Sequence, residues 1–118
     1  MPPDPRSFLP LRPVDLQILL ALAEEERHGY GLTQTIADHT DGLVTLDPGN
    51  LYRVLKRLLA DGLVAESQRR HAPDLAGERR RYYRLTALGG RVMAGELRRL
   101  EELVRSPTAR ATLRRRTT

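Results

Sequence analysis

Cysteine is absent from the 118 residues, which excludes disulfides and thiolate zinc sites and fits a reducing, cytoplasmic setting. Tryptophan is also absent, and phenylalanine occurs once. No apolar run approaches the ~20 residues that a membrane span needs. The first residues, MPPDPRSFLPLRP, lack the apolar stretch of a signal peptide and read as a proline-rich, flexible arm. No nucleophile stands in a pattern with a base and an orienting group, so an enzyme is not expected. His28, His39 and His71 have no visible ligand partners, so neither a metal nor another cofactor is expected. The length points to one domain. Its core is modest, and self-association would help it.

What the chain does have is an uneven distribution of charge. The net charge is +5. Residues 1–48 carry a net −5, residues 49–85 a net +5 and residues 86–118 a net +5. Such asymmetry places a surface suited to a polyanion in the second half. Lys56 is the only lysine among the basic residues there. Arginine forks match phosphates and guanine edges in geometry.

Periodicity divides the chain into elements. Residues 12–26 read as a helix with Pro13 in its first turn. Leu16, Leu19, Leu20 and Ala23 form one face; Ile18 and Leu22 widen it, so this helix is covered on more than one side. Residues 30–42 read as a weaker helix stopped at Asp41-Gly42, and residues 43–46 as a very short strand. His28 is read as a residue that caps or positions the turn into the second helix. Residues 47–62 are the clearest helix, with Asp47 as N-cap, Pro48 at the first position and Gly62 just past the end. Leu51, Val54, Leu55, Leu58 and Leu59 form its apolar stripe. Gly49, Asn50, Arg53, Lys56 and Arg57 face away from that stripe, with Tyr52 at the border. Residues 63–70 and 79–85 read as two strands of a hairpin, joined by a turn region at 71–78. On the return strand Tyr83 and Leu85 share one face with Arg81, while Arg80, Tyr82 and Arg84 share the other. Thr86 caps a final helix over 86–106. Met93, Leu97, Leu100 and Val104 form a heptad-like seam on it, and Leu88, Val92 and Leu103 form a second stripe.

Three helices, a basic hairpin and a long helix suggest a helix-turn-helix with a wing. The third helix, basic on its outer face, would enter a major groove. The wing would offer Arg79, Arg80 and Arg84 to DNA, with Arg81 packing its stem and reaching the rim with its head. The expected architecture is mainly α with a small β-hairpin: a winged helix-turn-helix plus a C-terminal dimerisation helix. Its parts would be a flexible arm (1–12), a winged-helix domain (13–85), the dimerisation helix (86–106) and a flexible basic tail (107–118).

The stretches HGYG (28–31), GNLYRVLKRLLADGLV (49–64) and ERRRYYRLTALG (78–89) resemble the PadR family of bacterial transcriptional regulators, over roughly residues 14–105. The resemblance implies a winged-helix fold, a homodimer joined through the C-terminal helices, and repression through a palindromic operator. It places Gly49, Asn50, Tyr52, Arg53 and Lys56 on the recognition-helix motif, and Arg79, Arg80 and Arg81 on the basic wing strand. One helix after the wing resembles the short members of the family. There are two departures. Leu59 stands where the family often has Glu, and the last helix lacks the tryptophan on which short members stack planar drugs.

The expected function is therefore that of a homodimeric DNA-binding regulator, a repressor on an inverted-repeat operator. Ile18, Leu22, Met93, Leu97, Leu100 and Val104 are the expected dimer-interface residues. Two such helices can leave a gap at their crossing, room for a small-molecule effector of a kind that the sequence does not name. The alternative is a winged-helix module whose basic face docks an acidic protein.

Overall fold

The computed structural model describes residues 3–67 and 81–115. Arg79 and Arg80 of the wing, and His71 in the turn before them, lie outside the described residues. Helix α1 spans Pro13–Glu24, with Pro13 in its first turn, where the missing N–H costs nothing. Strand β1 is Arg27–His28, and α2 follows at once over Gly29–His39. The His28 Nδ1 accepts a hydrogen bond from the Gly31 N–H at 3.0 Å, so this histidine is the N-cap of α2, as its place in the sequence suggested. Helix α2 ends where Asp41 and Gly42 take positive φ values of 51° and 79°.

Helix α3, Pro48–Ala60, has the start and stop that its sequence predicts. The Asp47 carboxylate accepts from the Asn50 N–H at 2.8 Å, and Gly62 turns the chain at φ 78°. Strands β2 (Val64–Glu66) and β3 (Tyr82–Leu85) pair antiparallel, with Val64 opposite Leu85 and Glu66 opposite Tyr83. Strand β1 occupies the other edge of β3, with Arg27 opposite Tyr83 and His28 opposite Tyr82. The sheet is thus three-stranded, in the order β1-β3-β2. A two-residue strand is too short to show alternation, which is why β1 was not expected. Residues 43–46, expected as a strand, form none. Both edges of β3 are taken, and Val44 and Leu46 pack against the core instead.

The core joins α1, α2, α3, the sheet and one face of the next helix through Leu19, Leu32, Ile36, Leu51, Leu55, Leu58, Leu63, Val64, Tyr83 and Val92. Ile18 and Leu22 belong to it as well. They are 0% and 4% exposed within the single chain, which leaves no surface to meet a second copy. The width of the α1 apolar face reflects burial between elements of its own domain, and these two residues are not interface residues.

Helix α4 spans Ala87–Arg105, and Thr86 fixes its start twice. The Thr86 Oγ1 accepts from the Gly89 N–H at 3.0 Å and donates to the Gly62 carbonyl at 2.7 Å. Val92 faces the core, and Leu88 and Met93 pack against it. Leu97, Leu103 and Val104 are exposed, and Leu100 is half-buried.

Both ends depart from the expected flexible segments. Residues Pro5–Phe8 form a single 3₁₀ turn, capped by the Asp4 carboxylate, which accepts from the Arg6 N–H. This arm turn lies on α4. Phe8, Leu9 and Leu11 give it an apolar side that packs on the core. After α4, Ser106 accepts from the Ala109 N–H and Pro107 opens a further helix, α5, over Pro107–Arg114. A proline at 107 cannot continue α4 but suits a new first turn. Two helices, not one, therefore follow the wing.

Glu96 ties the arm down. Its buried carboxylate accepts from the Leu11 N–H at 3.0 Å and from Arg99 Nε at 2.6 Å. Hydrogen bonding to Arg99, against the opposing cost of burial, holds the Glu96 carboxyl below the ordinary 4.5. A carboxyl with a depressed folded pKa contributes stability that is full above the unfolded value and is lost as pH falls through the folded one. The melting temperature should therefore fall on acidification below about pH 4.5. That acid limb should be flatter in Glu96→Gln, which keeps an acceptor for Leu11 and gives up the charge. Thermal melts across that range are the check, and identical acid limbs would refute the assignment.

Candidate nucleic-acid interface

Helices α2 and α3, joined by the turn at 40–47, form a helix-turn-helix, and β2 and β3 stand beside it as the base of a wing. The exposed side of α3 is organised from its N-terminus. The Asp47 carboxylate caps the helix with one oxygen and accepts from the Asn50 Nδ2 with the other, at 2.8 Å. The Asn50 Oδ1 in turn accepts from an Arg53 guanidinium nitrogen at 2.8 Å. Residues three apart are neighbours on one helical face, so a capping residue, an amide and a cation form a chain along it. Asn50 thereby presents an amide of fixed orientation whose two ends are both engaged. Arg53 keeps its remaining donors toward solvent. Gly49 and Lys56 are exposed on the same helix.

Tyr52 is half exposed at the border of that face. Its position depends on Gly29 at the start of α2: a Cβ there would stand 2.8 Å from the Tyr52 hydroxyl. Tyr30, also exposed, stacks on His28 with centroids 6.4 Å apart, and its hydroxyl accepts from Gln34. His28 meets Tyr82 edge-on at 5.1 Å. Tyr30, Tyr52 and Tyr82 thus gather around His28 and Gly29 at the junction of α2, α3 and the sheet.

Arg57 departs from the expected outward set. Its guanidinium grips Asp15 on α1 with two bonds of 2.8 and 2.9 Å. Asp15 is buried. Hydrogen bonding to that carboxylate raises the Arg57 pKa further above its already high value. This cation orients α3 against α1 and is not a free groove-facing group. The 42-residue separation of the pair left nothing in the local sequence pattern to reveal it. The Asp47–Asn50–Arg53 chain was equally unforeseen, although its i, i+3, i+6 spacing is a legible signal.

On β3 the alternation is as expected. Tyr83 is buried and Arg84 exposed, and Leu85 packs against the core. Burial pushes the Tyr83 phenol up, and the neighbouring Tyr52 and Glu66 add to this. Arg81 is exposed and pairs with Glu66 at 3.6 Å, an exposed ion pair of small energetic value. Among the described residues no group of His, Asp and Glu could hold a metal ion. No helix among them is long and apolar enough to cross a membrane.

A helix-turn-helix whose exposed α3 face carries an oriented arginine, flanked by a small sheet, has the architecture of a winged helix-turn-helix protein. Comparison with known proteins makes this specific: residues 18–95 match the transcriptional regulator PadR-like family, and the chain belongs to it. It is thus a DNA-binding transcriptional regulator, from a family of regulators rather than enzymes. It is 41% identical over 92 residues to transcriptional regulator Rv3488 of Mycobacterium tuberculosis, covering 78% of this chain and 79% of that protein. The fold is similar to that of the hsRosR-S4 complex of H. salinarum, with a TM-score of 0.68 and 26% identity over 93% of this chain and 90% of that one. It is also similar to a transcriptional regulator from Clostridium thermocellum, with a TM-score of 0.63 and 26% identity over 83% of this chain and 84% of that one.

Proposed function

We propose that the chain acts in the cytoplasm as a homodimeric repressor of an inverted-repeat operator. Two α3 helices would enter successive major grooves about 34 Å apart. Gly49 and Tyr52 would approach phosphates, as would Arg81, Arg84 and the wing residues Arg79 and Arg80. Arg53 and Lys56 would read base edges, with Asn50 orienting Arg53. The observation that carries this reading is the Asp47–Asn50–Arg53 chain, which orients a cation on the exposed side of α3. In that chain the Asn50 amide positions Arg53. Dimerisation is supported by the exposed apolar residues Leu97 and Val104 on α4, with Met93 and Leu100 on the same seam. An effector that relieves repression completes the reading.

The test is a fluorescence-anisotropy titration against the DNA upstream of the protein's own gene, with scrambled DNA as competitor. Arg53→Ala should cost about 1–3 kcal/mol on the operator and relax base preference at one position per half-site. Arg80→Ala should weaken binding to every sequence and lower the salt slope by about one. Unchanged base preference in Arg53→Ala would remove that residue from the readout.

A further inference from the structure

The side of α4 away from its apolar seam carries a feature that DNA binding does not use. A groove of about 470 Å³ runs between the arm turn and α4. Arg6 lines it from the arm, and Arg91 and Arg98 line it from α4, over a floor of Ala94 and Gly95. Its volume is that of a small-molecule site rather than of a macromolecular surface. Small floor residues let the arm approach: a Cβ on Gly95 would stand 3.3 Å from the Leu9 Cδ1. The tether from the Leu11 N–H to Glu96 fixes the arm next to the groove.

Three arginines line this groove, and none of them makes an ion pair with a described residue. The carboxylate at its edge, Asp4, already accepts from the Arg6 N–H as the cap of the arm turn. Arg91 and Arg98 are seven residues apart, which sets them about 10 Å apart along one face of α4. By the same geometry this face lies roughly 140° around the helix from the Met93, Leu97, Leu100 and Val104 seam. A dimer formed on that seam would leave the groove open.

We propose that this groove binds a small polyanion, a metabolite bearing two or more carboxylate or phosphate groups, and that it is the effector site. Arginine forks give such groups bidentate hydrogen bonds, and the spacing of Arg91 and Arg98 favours a ligand with anionic groups at both ends. The assignment of effector rests on the repressor reading; the binding site does not. The arm leads directly into α1, and α1 holds α3 through Asp15 and Arg57. A ligand that moves the arm therefore acts on the element that seats the recognition helix.

Isothermal titration of the full chain without DNA, with inorganic pyrophosphate and with citrate as separate probes, tests the site. Saturable binding of either probe is expected at one site per chain. The double variant Arg91→Gln, Arg98→Gln should weaken it at least tenfold. Ala94→Glu, which places a carboxylate in the groove, should abolish it. Arg53→Ala, on the DNA face, should leave it unchanged, and thermal melts of all variants should match the parent. Preference for pyrophosphate would indicate a phosphorylated ligand, and preference for citrate a polycarboxylate. Absence of saturable binding by both, or binding that survives the groove variants, overturns the site. If the double variant also loses operator affinity and pyrophosphate competes with DNA, these arginines are phosphate contacts and the proposal fails. Binding in the groove with no effect of the probe on operator affinity would keep the site and overturn its role as effector site.

Discussion

Gly89→Ala should destabilise the protein by about 3 kcal/mol, at the upper end of overpacking costs. Helix α4 begins directly against the entry to β2. A Cβ on residue 89 would stand 2.1 Å from the Leu63 carbonyl oxygen, 3.0 Å from its carbon and 2.8 Å from the Leu85 Cδ1. The Leu85 side chain could give way; the carbonyl could not. It accepts from the Thr86 N–H at 3.2 Å, and the Leu63 N–H is itself bonded to the Leu58 carbonyl at 3.0 Å. Moving it would pull on the end of α3 and the start of α4 together. For a domain with about 5–15 kcal/mol in hand, that loss is a large fraction. One residue on, Gly90 has only the Leu85 Cδ2 near it, at 3.8 Å. Gly90→Ala should therefore stabilise by about 0.5–1 kcal/mol through the unfolded chain and helix propensity. Urea denaturation of the pair reads both signs. Equal midpoints for the two variants would contradict the close approach.

Arg57→Met should cost about 2 kcal/mol by leaving Asp15 buried and unpaired. Breaking a fully buried pair costs about 3–5 kcal/mol. Arg57 keeps 37% of its side chain exposed, and water reaching that side lowers the figure. The double variant Asp15→Leu, Arg57→Met should recover to within about 1 kcal/mol of the parent, because an apolar pair of similar volume removes the unpaired charge. DNA binding separates the structural role from a phosphate contact. Both guanidinium bonds go to Asp15, so the salt slope of operator binding should be unchanged in the double variant. A slope lowered by about one would return Arg57 to the DNA face.

The amino-acid sequence by itself determined the local elements. Helix α3 was legible because Asp47, Pro48 and Gly62 act within a few residues of chain, and its leucines repeat at the helical period. The cap at His28, the cap at Thr86 and the alternation of Tyr83 against Arg84 were legible for the same reason. The exposure of Gly49, Asn50, Arg53 and Lys56 on α3 was legible from the helical period, and the motif spacing placed the family. Tertiary structure decided what depends on partners far along the chain. Arg57 looks outward on a helical wheel, yet a buried carboxylate 42 residues away claims it. Ile18 and Leu22 look like surplus apolar surface on α1, yet the remaining elements of the domain cover them. Strand β1 is too short to have a period and exists because β3 has a second edge to fill. The arm reads as a loose, proline-rich end; only the buried Glu96 and the face of α4 beneath it give it a place. Periodicity and caps are short-range effects and are written locally. The match between a cation and a distant carboxylate, or between a glycine and another segment's carbonyl, exists only once the chain has folded.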